Sequence, residues 1–424
     1  MTLSTAEERR ALESLDPHAL AQHQLRLLNE LLERILPDNQ FYTGKLADIE
    51  RPVRSLDQLT AWPFTYKTEL LGSPHGHDLA ANRTWPVGRY SRLHRTSGTH
   101  GRPLVVLDTA EDWQWWIDCW QYILDAAEVT SDDCVLMAFS FGPFIGFWSA
   151  YDALAARGCL LVPTGGVSTL GRLELARTSQ ATVVCCTPSY ALHLAEVAAE
   201  NKFDVASLGV RRVIVAGEPG GSVGSVRARI ESLWNAKVID HCGATEVGPW
   251  GYGDLAGASV SVNESQFIAE FLSVATGTPA AEGELAELVL TALGRYGSPA
   301  IRYRTGDLVR PLWHGEGPSR FVRLDGGILG RTDDMLVVRG VNIFPSSIEQ
   351  IVRSFPEVVE FRAIVYKAAH LDQLRVEIED RLNEPARIAQ ELQLRLGMSV
   401  EVQPVPLGSL PRFEGKGKRF IDRR

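Results

Sequence analysis

The chain has 424 residues, 45% of them hydrophobic and 22% charged, which excludes a disordered, collagenous or coiled-coil protein and leaves room for two or more cores. Lys and Arg number 43 against 52 Asp and Glu, a net charge of -9. With no polybasic run, that balance argues against nucleic acid or an anionic membrane as partner, but not against small anions held by local positive groups. The cysteines Cys119, Cys134, Cys159, Cys185, Cys186 and Cys242 make no C-x-x-C pair. They read as reduced thiols of a cytoplasmic protein without a zinc site. The first residues (Glu7, Glu8, Arg9, Arg10) are too polar for a signal core.

Leu25, Leu28, Leu32 and Ile35 recur at helical spacing, and Pro37 stops that first helix. Residues 134–151 carry no charge and are barely long enough for a membrane span. Ser140, Gly142, Pro143 and Gly146 within them favour a buried strand and loop. Strands are expected at 135–141, 159–162, 181–186, 210–216 and 237–241, with helices at 151–157, 172–177, 190–200 and 225–234. That alternation predicts an α/β fold with a mostly parallel sheet flanked by helices.

The pattern changes at the turn-rich Asp325-Gly326-Gly327 and Gly330. Strands at 335–338 and 341–344 precede Ser346-Ser347-Ile348-Glu349, which has the form of a capping box opening a helix with Ile348, Ile351 and Val352 inward. Strands at 361–366 and 374–378, a helix at 386–396 and a strand at 400–405 complete a β-α-β-β-α-β unit. The expected division is a large domain of 1–332 and a small α+β domain of 333–424, meeting at Asp333.

Five segments carry chemistry. Thr96-Ser97-Gly98-Thr99-His100-Gly101 mixes hydroxyls and glycines as a phosphate cradle does, though it lacks the Lys-Ser/Thr of a P-loop, and a hairpin turn explains it equally well. Asp240-His241-Cys242-Gly243-Ala244-Thr245-Glu246 sits at a strand end, where α/β sheets bind ligands; Glu246 suits Mg²⁺ and Thr245 a phosphate oxygen, against the alternative of a polar loop. Arg302-Tyr303-Arg304-Thr305-Gly306-Asp307 offers a carboxylate for two ribose hydroxyls, or a surface turn. The run from Gly330 to Pro345 reads alone as a hairpin, and Glu414-Gly415-Lys416-Gly417-Lys418-Arg419 alone as a frayed tail.

In this order the five segments resemble the motif series of the adenylate-forming superfamily, and in particular the phenylacetate–CoA ligase family. Phe41-Tyr42, Trp62-Pro63, Thr65, Lys67, Thr187-Pro188-Ser189-Tyr190 and Gly217-Glu218-Pro219 extend the likeness over nearly the whole chain. The resemblance implies that ATP and Mg²⁺ activate a carboxylic acid as acyl-adenylate, and that the acyl group then passes to a thiol, usually of CoA. A fused carrier domain is missing, so an acceptor pantetheine on a carrier protein would act in trans; an amine is a further alternative. A non-catalytic nucleotide-binding paralogue is the reading from another class, and a homodimer stays open.

By the same resemblance, Thr96, Ser97, Gly98, Thr99 and Gly101 embrace the outer phosphates, Thr245 meets the α-phosphate and Glu246 holds Mg²⁺. Asp240 and Cys242 flank adenine, Glu218 belongs to the nucleotide site, and Asp307 grips the ribose with Arg331 assisting. Lys416 bridges carboxylate and α-phosphate. Asp333 is the hinge of a mobile lid, whose Arg339 and Gly340 face the thiol. Phe139 and Phe144 form one wall of the acid pocket; Ala216, Gly217, His241 and Gly243 form the other. Flat walls suit an aryl or arylalkyl acid, and the bulk of Phe147 and Trp148 makes a benzoate-like or heteroaryl acid as good a candidate as phenylacetate. His100 and Cys242 depart from the family pattern of Thr or Ser and of an adenine-stacking aromatic, which bears on ATP affinity more than on reaction class.

Overall fold

Nine strands form the central sheet, in the order Pro311–Leu312, Arg323–Asp325, Ser259–Val262, Gly248–Gly253, Lys237–Ala244, Arg212–Val215, Val183–Cys186, Cys134–Met137 and Leu160–Pro163. The computed structural model describes residues 3–72, 79–96, 103–257, 259–313, 319–332, 336–338, 341–368, 371–412 and 419–424. The five strands from Lys237–Ala244 to Leu160–Pro163 are parallel, and their alternation with helices is the reason. Val135 and Met137 face a cluster with Trp120, Phe147 and Ile239, while Leu136 faces Val184, Tyr190 and Trp234 on the other side. Both faces are therefore covered, as short, wholly apolar strands such as Val183–Cys186 require.

Lys237–Ala244 is the junction of the sheet. It pairs parallel with Arg212–Val215 and antiparallel with Gly248–Gly253, reached through a tight turn at 245–247. Beyond it the sheet continues antiparallel, a half that the sequence pattern did not announce. A second, antiparallel sheet runs Phe267–Ser273, Ala286–Ala292, Tyr303–Val309, Gly330–Arg331. The strand expected over 135–141 stops at Met137; residues 138–147 form a loop before the helix Trp148–Arg157. Among the described residues no helix is long and apolar enough to cross a membrane.

An unexpected helix, Ala110–Ala126, lies between the sheets, opened by a Thr109/Asp112 capping box. It drives Trp113, Trp116 and Trp120 into the first cluster.

The C-terminal unit has the hairpin Leu336–Val338/Val341–Ile343, the helix Pro345–Arg353, the strands Val358–Ala368 and Leu371–Asp380, the helix Pro385–Leu396 and the strand Glu401–Pro404. Its helices bury Ile348, Ile351, Val352, Ile388 and Leu392 against the sheet. The helix expected to open at the Ser346 box starts one residue earlier: Phe344 is the N-cap and makes no side-chain cap bond, and Pro345, with its fixed φ and missing N–H, takes the first helical position. The last strand, Phe420–Asp422, pairs parallel with Val358–Ala368 and ties the tail into the sheet.

Candidate active site

The candidate residues gather at the carboxyl ends of the parallel strands, where α/β sheets leave a crevice. Phe139 follows Cys134–Met137, Thr187 follows Val183–Cys186, Ala216 and Gly217 follow Arg212–Val215, and His241 to Glu246 end Lys237–Ala244 and its turn. The pairing of Val215 with Asp240 sets Ala216 beside His241.

Thr96 closes the stem of a hairpin. Its N–H donates to Leu104 O at 2.9 Å, and its hydroxyl oxygen accepts from Leu104 N at 3.1 Å. Arg95 pairs with Val105 in that stem, and Arg95 N donates to Pro143 O at 2.8 Å, which fastens the stem to the 138–147 loop. Ser97, Gly98, Thr99, His100 and Gly101 lie outside the described residues.

Glu246 is only 7% exposed, and Lys67 Nζ approaches its Oε1 to 2.9 Å. Burial and the nearby Glu246 carboxylate hold the Tyr303 phenol well above its ordinary pKa. The carbonyl of Thr245 accepts from Arg295 Nη1 at 2.9 Å, and Arg295 is anchored in turn by Asp108, Nε to Oδ1 at 2.8 Å. Both members of that pair are fully buried. Burial pushes the Asp108 carboxyl up, but Arg295 and His94 outweigh it, so it ends below the usual range. The turn carrying Thr245 and Glu246 is thus braced from beneath by a charged pair.

Asp307 and Arg331 are cross-strand partners, with Nη1 to Oδ1 at 2.9 Å. Gly306 beside them has φ +75°, which strains any side chain, and a Cβ there would crowd Arg331 Nη2 at 3.1 Å. A cleft of about 540 Å³ lined by Lys67, Tyr303, Arg304, Gly306 and Arg331 opens here, within the range of ligand sites.

Asp240 accepts from Ser222 Oγ at 2.6 Å, and burial pushes its carboxyl up to about 6. Cys242 is buried among Trp250, Val260 and Phe267, its thiol raised far above its ordinary pKa by burial and then by Asp240 and Asp307. Phe139 packs on Phe147 with ring centres 4.7 Å apart, and Trp120 reaches His241 at 4.3 Å. Phe144, expected in the same wall, is 47% exposed and stands outside the cluster that takes in Phe139, Phe147 and Ala216.

The small unit seats on the helices Pro188–Glu200 and Gly224–Trp234. Arg412 Nε lies 3.7 Å from Glu196 Oε2, and Arg229 Nη1 donates to Val358 O at 3.3 Å. Arg419 Nε binds Glu360 at 2.8 Å while its Nη1 stands 3.8 Å from both Glu349 and Glu218. Glu218 also accepts from Ser189 N at 2.8 Å. Its oxygens are therefore committed to the helix start and to the tail. Burial pushes Glu349 up to about 7, opposed by Arg419 and assisted by Glu218. Lys416, Asp333, Arg339 and Gly340 lie outside the described residues.

Trp120, Arg295, Asp108 and Tyr303 join the site without having been singled out. The cluster of four tryptophans at 113, 115, 116 and 120 was the signal for the first. Tyr303 stood inside the third of the five segments; Asp108, on the strand Val105–Thr109, and Arg295, in the loop after Ala286–Ala292, become neighbours of the site only in the fold.

Family models for "AMP-binding enzyme" and "AMP-binding enzyme C-terminal domain" match residues 93–282 and 340–424. Phenylacetate-coenzyme A ligase of Pseudomonas putida is 31% identical over 97% of this chain and 96% of its own. That of Escherichia coli K12 is 32% identical over 88% of this chain and 86% of its own. The solved structure of 2-hydroxyisobutyryl-CoA ligase in the postadenylation state with 2-HIB-AMP superposes with TM-score 0.92, at 26% identity, over 100% of this chain and 94% of that one. Against the same enzyme with 2-HIB-AMP and CoA in the thioesterification state the score is 0.74, over 99% and 94%.

Proposed function

The chain belongs to the phenylacetate–coenzyme A ligase family of AMP-binding enzymes, and on that footing we propose that it activates an aryl or arylalkyl carboxylic acid with ATP and transfers the acyl group to coenzyme A. It is an AMP-forming acid–thiol ligase. In the first step a carboxylate oxygen attacks the α-phosphorus and pyrophosphate leaves; in the second a thiol sulfur attacks the acyl carbon and AMP leaves.

The observation that carries the reading is a cleft lined by Lys67, Tyr303 and Arg331, of which Lys67 is paired with Glu246 and Arg331 with Asp307. A carboxylate and a triphosphate repel one another, so the site must supply positive charge and alignment rather than covalent chemistry. Lys67 and Arg331 supply charge from the body, and Lys416 supplies it from the small unit. Thr245, held by Arg295, meets the α-phosphate, and Asp307 takes the ribose hydroxyls. The phosphate loop from Thr96 encloses the outer phosphates.

Glu246 is a hard oxygen donor and fits Mg²⁺, which would neutralise the phosphates. Among the described residues no set of three or more His, Cys, Asp or Glu gathers to hold a metal, so the remaining ligands would be phosphate oxygens and water, as Mg²⁺ prefers. The similarity to a postadenylation arrangement fits a lid seated over the first half-reaction, with Asp333 as the hinge between 1–332 and 333–424 and the face of Arg339 and Gly340 turning in for the second.

The test is ATP–pyrophosphate exchange over a panel of aryl acids, followed by mass spectrometry of products formed with CoA, with a carrier-protein thiol and with amines. Exchange by the native chain and a CoA thioester as product are expected. A purified, nucleotide-binding chain that exchanges with no acid would return the site to a non-catalytic role.

A further inference from the structure

His241 stands at the acid end of the site, on the strand that continues into Thr245 and Glu246 and beside Ala216 of the next strand. Its ring is locked. Nδ1 lies 2.9 Å from Gly251 O, and the plane is held at 4.3 Å from Trp120, itself fixed by Nε1 donating to Ser149 Oγ at 2.7 Å. A carbonyl only accepts, so Nδ1 carries the proton and Nε2 presents a lone pair. Nε2 has no hydrogen-bond partner among the described residues. It faces Gly243, where a Cβ would stand 3.2 Å away; the missing side chain keeps that nitrogen open. Burial lowers the imidazole pKa to about 4, so the ring is neutral and an acceptor throughout the working range.

An outward lone pair repels a carboxylate, so His241 meets the other end of the acid. An acid without a donor at that point would cover Nε2 and leave it unpaired, which is penalised. We propose that the acid activated by this chain carries a hydroxyl or amino group that donates a hydrogen bond to His241 Nε2. The inference rests on the ligase reading and narrows its substrate to hydroxy- or amino-substituted acids.

The experiment is exchange kinetics on matched acids: benzoate against its hydroxy, amino and methoxy derivatives, and phenylacetate against the same set. The best hydroxy or amino acid should exceed both its parent and its methyl ether by about tenfold or more in kcat/KM, because a site built for a donor rejects analogues lacking it. The methyl ether removes the donor without touching the protein, so the comparison survives if a variant fails to fold. In His241→Leu the preference should fall within about threefold, and in His241→Gln, whose amide oxygen accepts, it should persist. Equal kcat/KM for parent, ether and donor-bearing acid in the native chain, or a preference undiminished in folded His241→Leu, overturns the inference and leaves the ligase reading intact. Exchange with none of the acids overturns both.

Discussion

Lys67 Nζ sits 2.9 Å from Glu246 Oε1, joining a residue from the first turn of a short helix to the buried carboxylate beyond the sheet's junction strand. The lysine is 42% exposed and the carboxylate 7%, so the pair is lopsided: the negative charge is fixed, the positive one free to leave. On the proposed reading, an ammonium so placed would neutralise Glu246 until Mg²⁺ takes over, and would then turn to a phosphate.

That relationship has a measurable consequence. Glu246→Gln should raise the Mg²⁺ concentration for half-maximal pyrophosphate exchange by about 10–100-fold. Lys67→Met removes a competitor and should lower it by about threefold, in line with a half-exposed pair. Mg²⁺ titrations of exchange decide it; an unchanged requirement in both variants would take Glu246 out of the metal site.

The proposed role of Lys416 is confined to the first half-reaction. Lys416→Ala should lose exchange by about 10²-fold or more, the loss expected when one charge at the reacting phosphorus is removed. It should still convert chemically supplied acyl-adenylate and CoA to thioester. Equal loss of both activities contradicts the role.

Gly340 tests the second half-reaction. Gly340→Leu should spare exchange and slow thioester formation, read by quenched-flow on preformed adenylate. A native thioester rate removes it from the thiol's path.

Glu349 gives the pH signature of the seated lid. Its carboxyl is ordinary when unfolded, at 4.5, and is pushed up to about 7 by burial when folded. The folded state therefore holds the extra proton between those values, and stability from this group falls as pH rises from 4.5 to 7. Replacement by Gln removes the titration. Thermal melts at pH 5 and pH 8 should show a smaller decline for Glu349→Gln than for the native chain; parallel declines would mean the carboxyl titrates normally.

The parallel strands were legible because apolar runs such as Val183–Cys186 and Val213–Val215 admit no other burial, and the helix Pro17–Ile35 because its leucines repeat cleanly. The helix Ala110–Ala126 was not, since Asp112, Gln121 and four tryptophans blur its period while Asp112 is spent on capping and on Gly297 N at 3.0 Å. At the site, Asp307 and Arg331 were named from motif likeness, and the register that pairs them emerged only from the sheet. Lys67 was visible as part of a family pattern, but its meeting with Glu246 depends on how the N-terminal segment docks at Thr65, whose N–H bonds to Arg302 O at 2.8 Å. Phe144 looked like its neighbours Phe139 and Phe147 because composition carries no information on which side of a glycine-flanked loop a ring turns. The helix expected to open at Ser346 starts at Pro345, a shift that the box pattern does not register.

The bond from Arg95 N to Pro143 O welds the stem of the hairpin that closes at Thr96 to the 138–147 segment. If the two segments hold acid and nucleotide as proposed, recognition of the one and grip on the other are mechanically one event: an ill-fitting acid that displaces the 138–147 segment would also tug on the triphosphate. Discrimination among acids should accordingly register in turnover as much as in affinity, with poor substrates bound yet left unactivated.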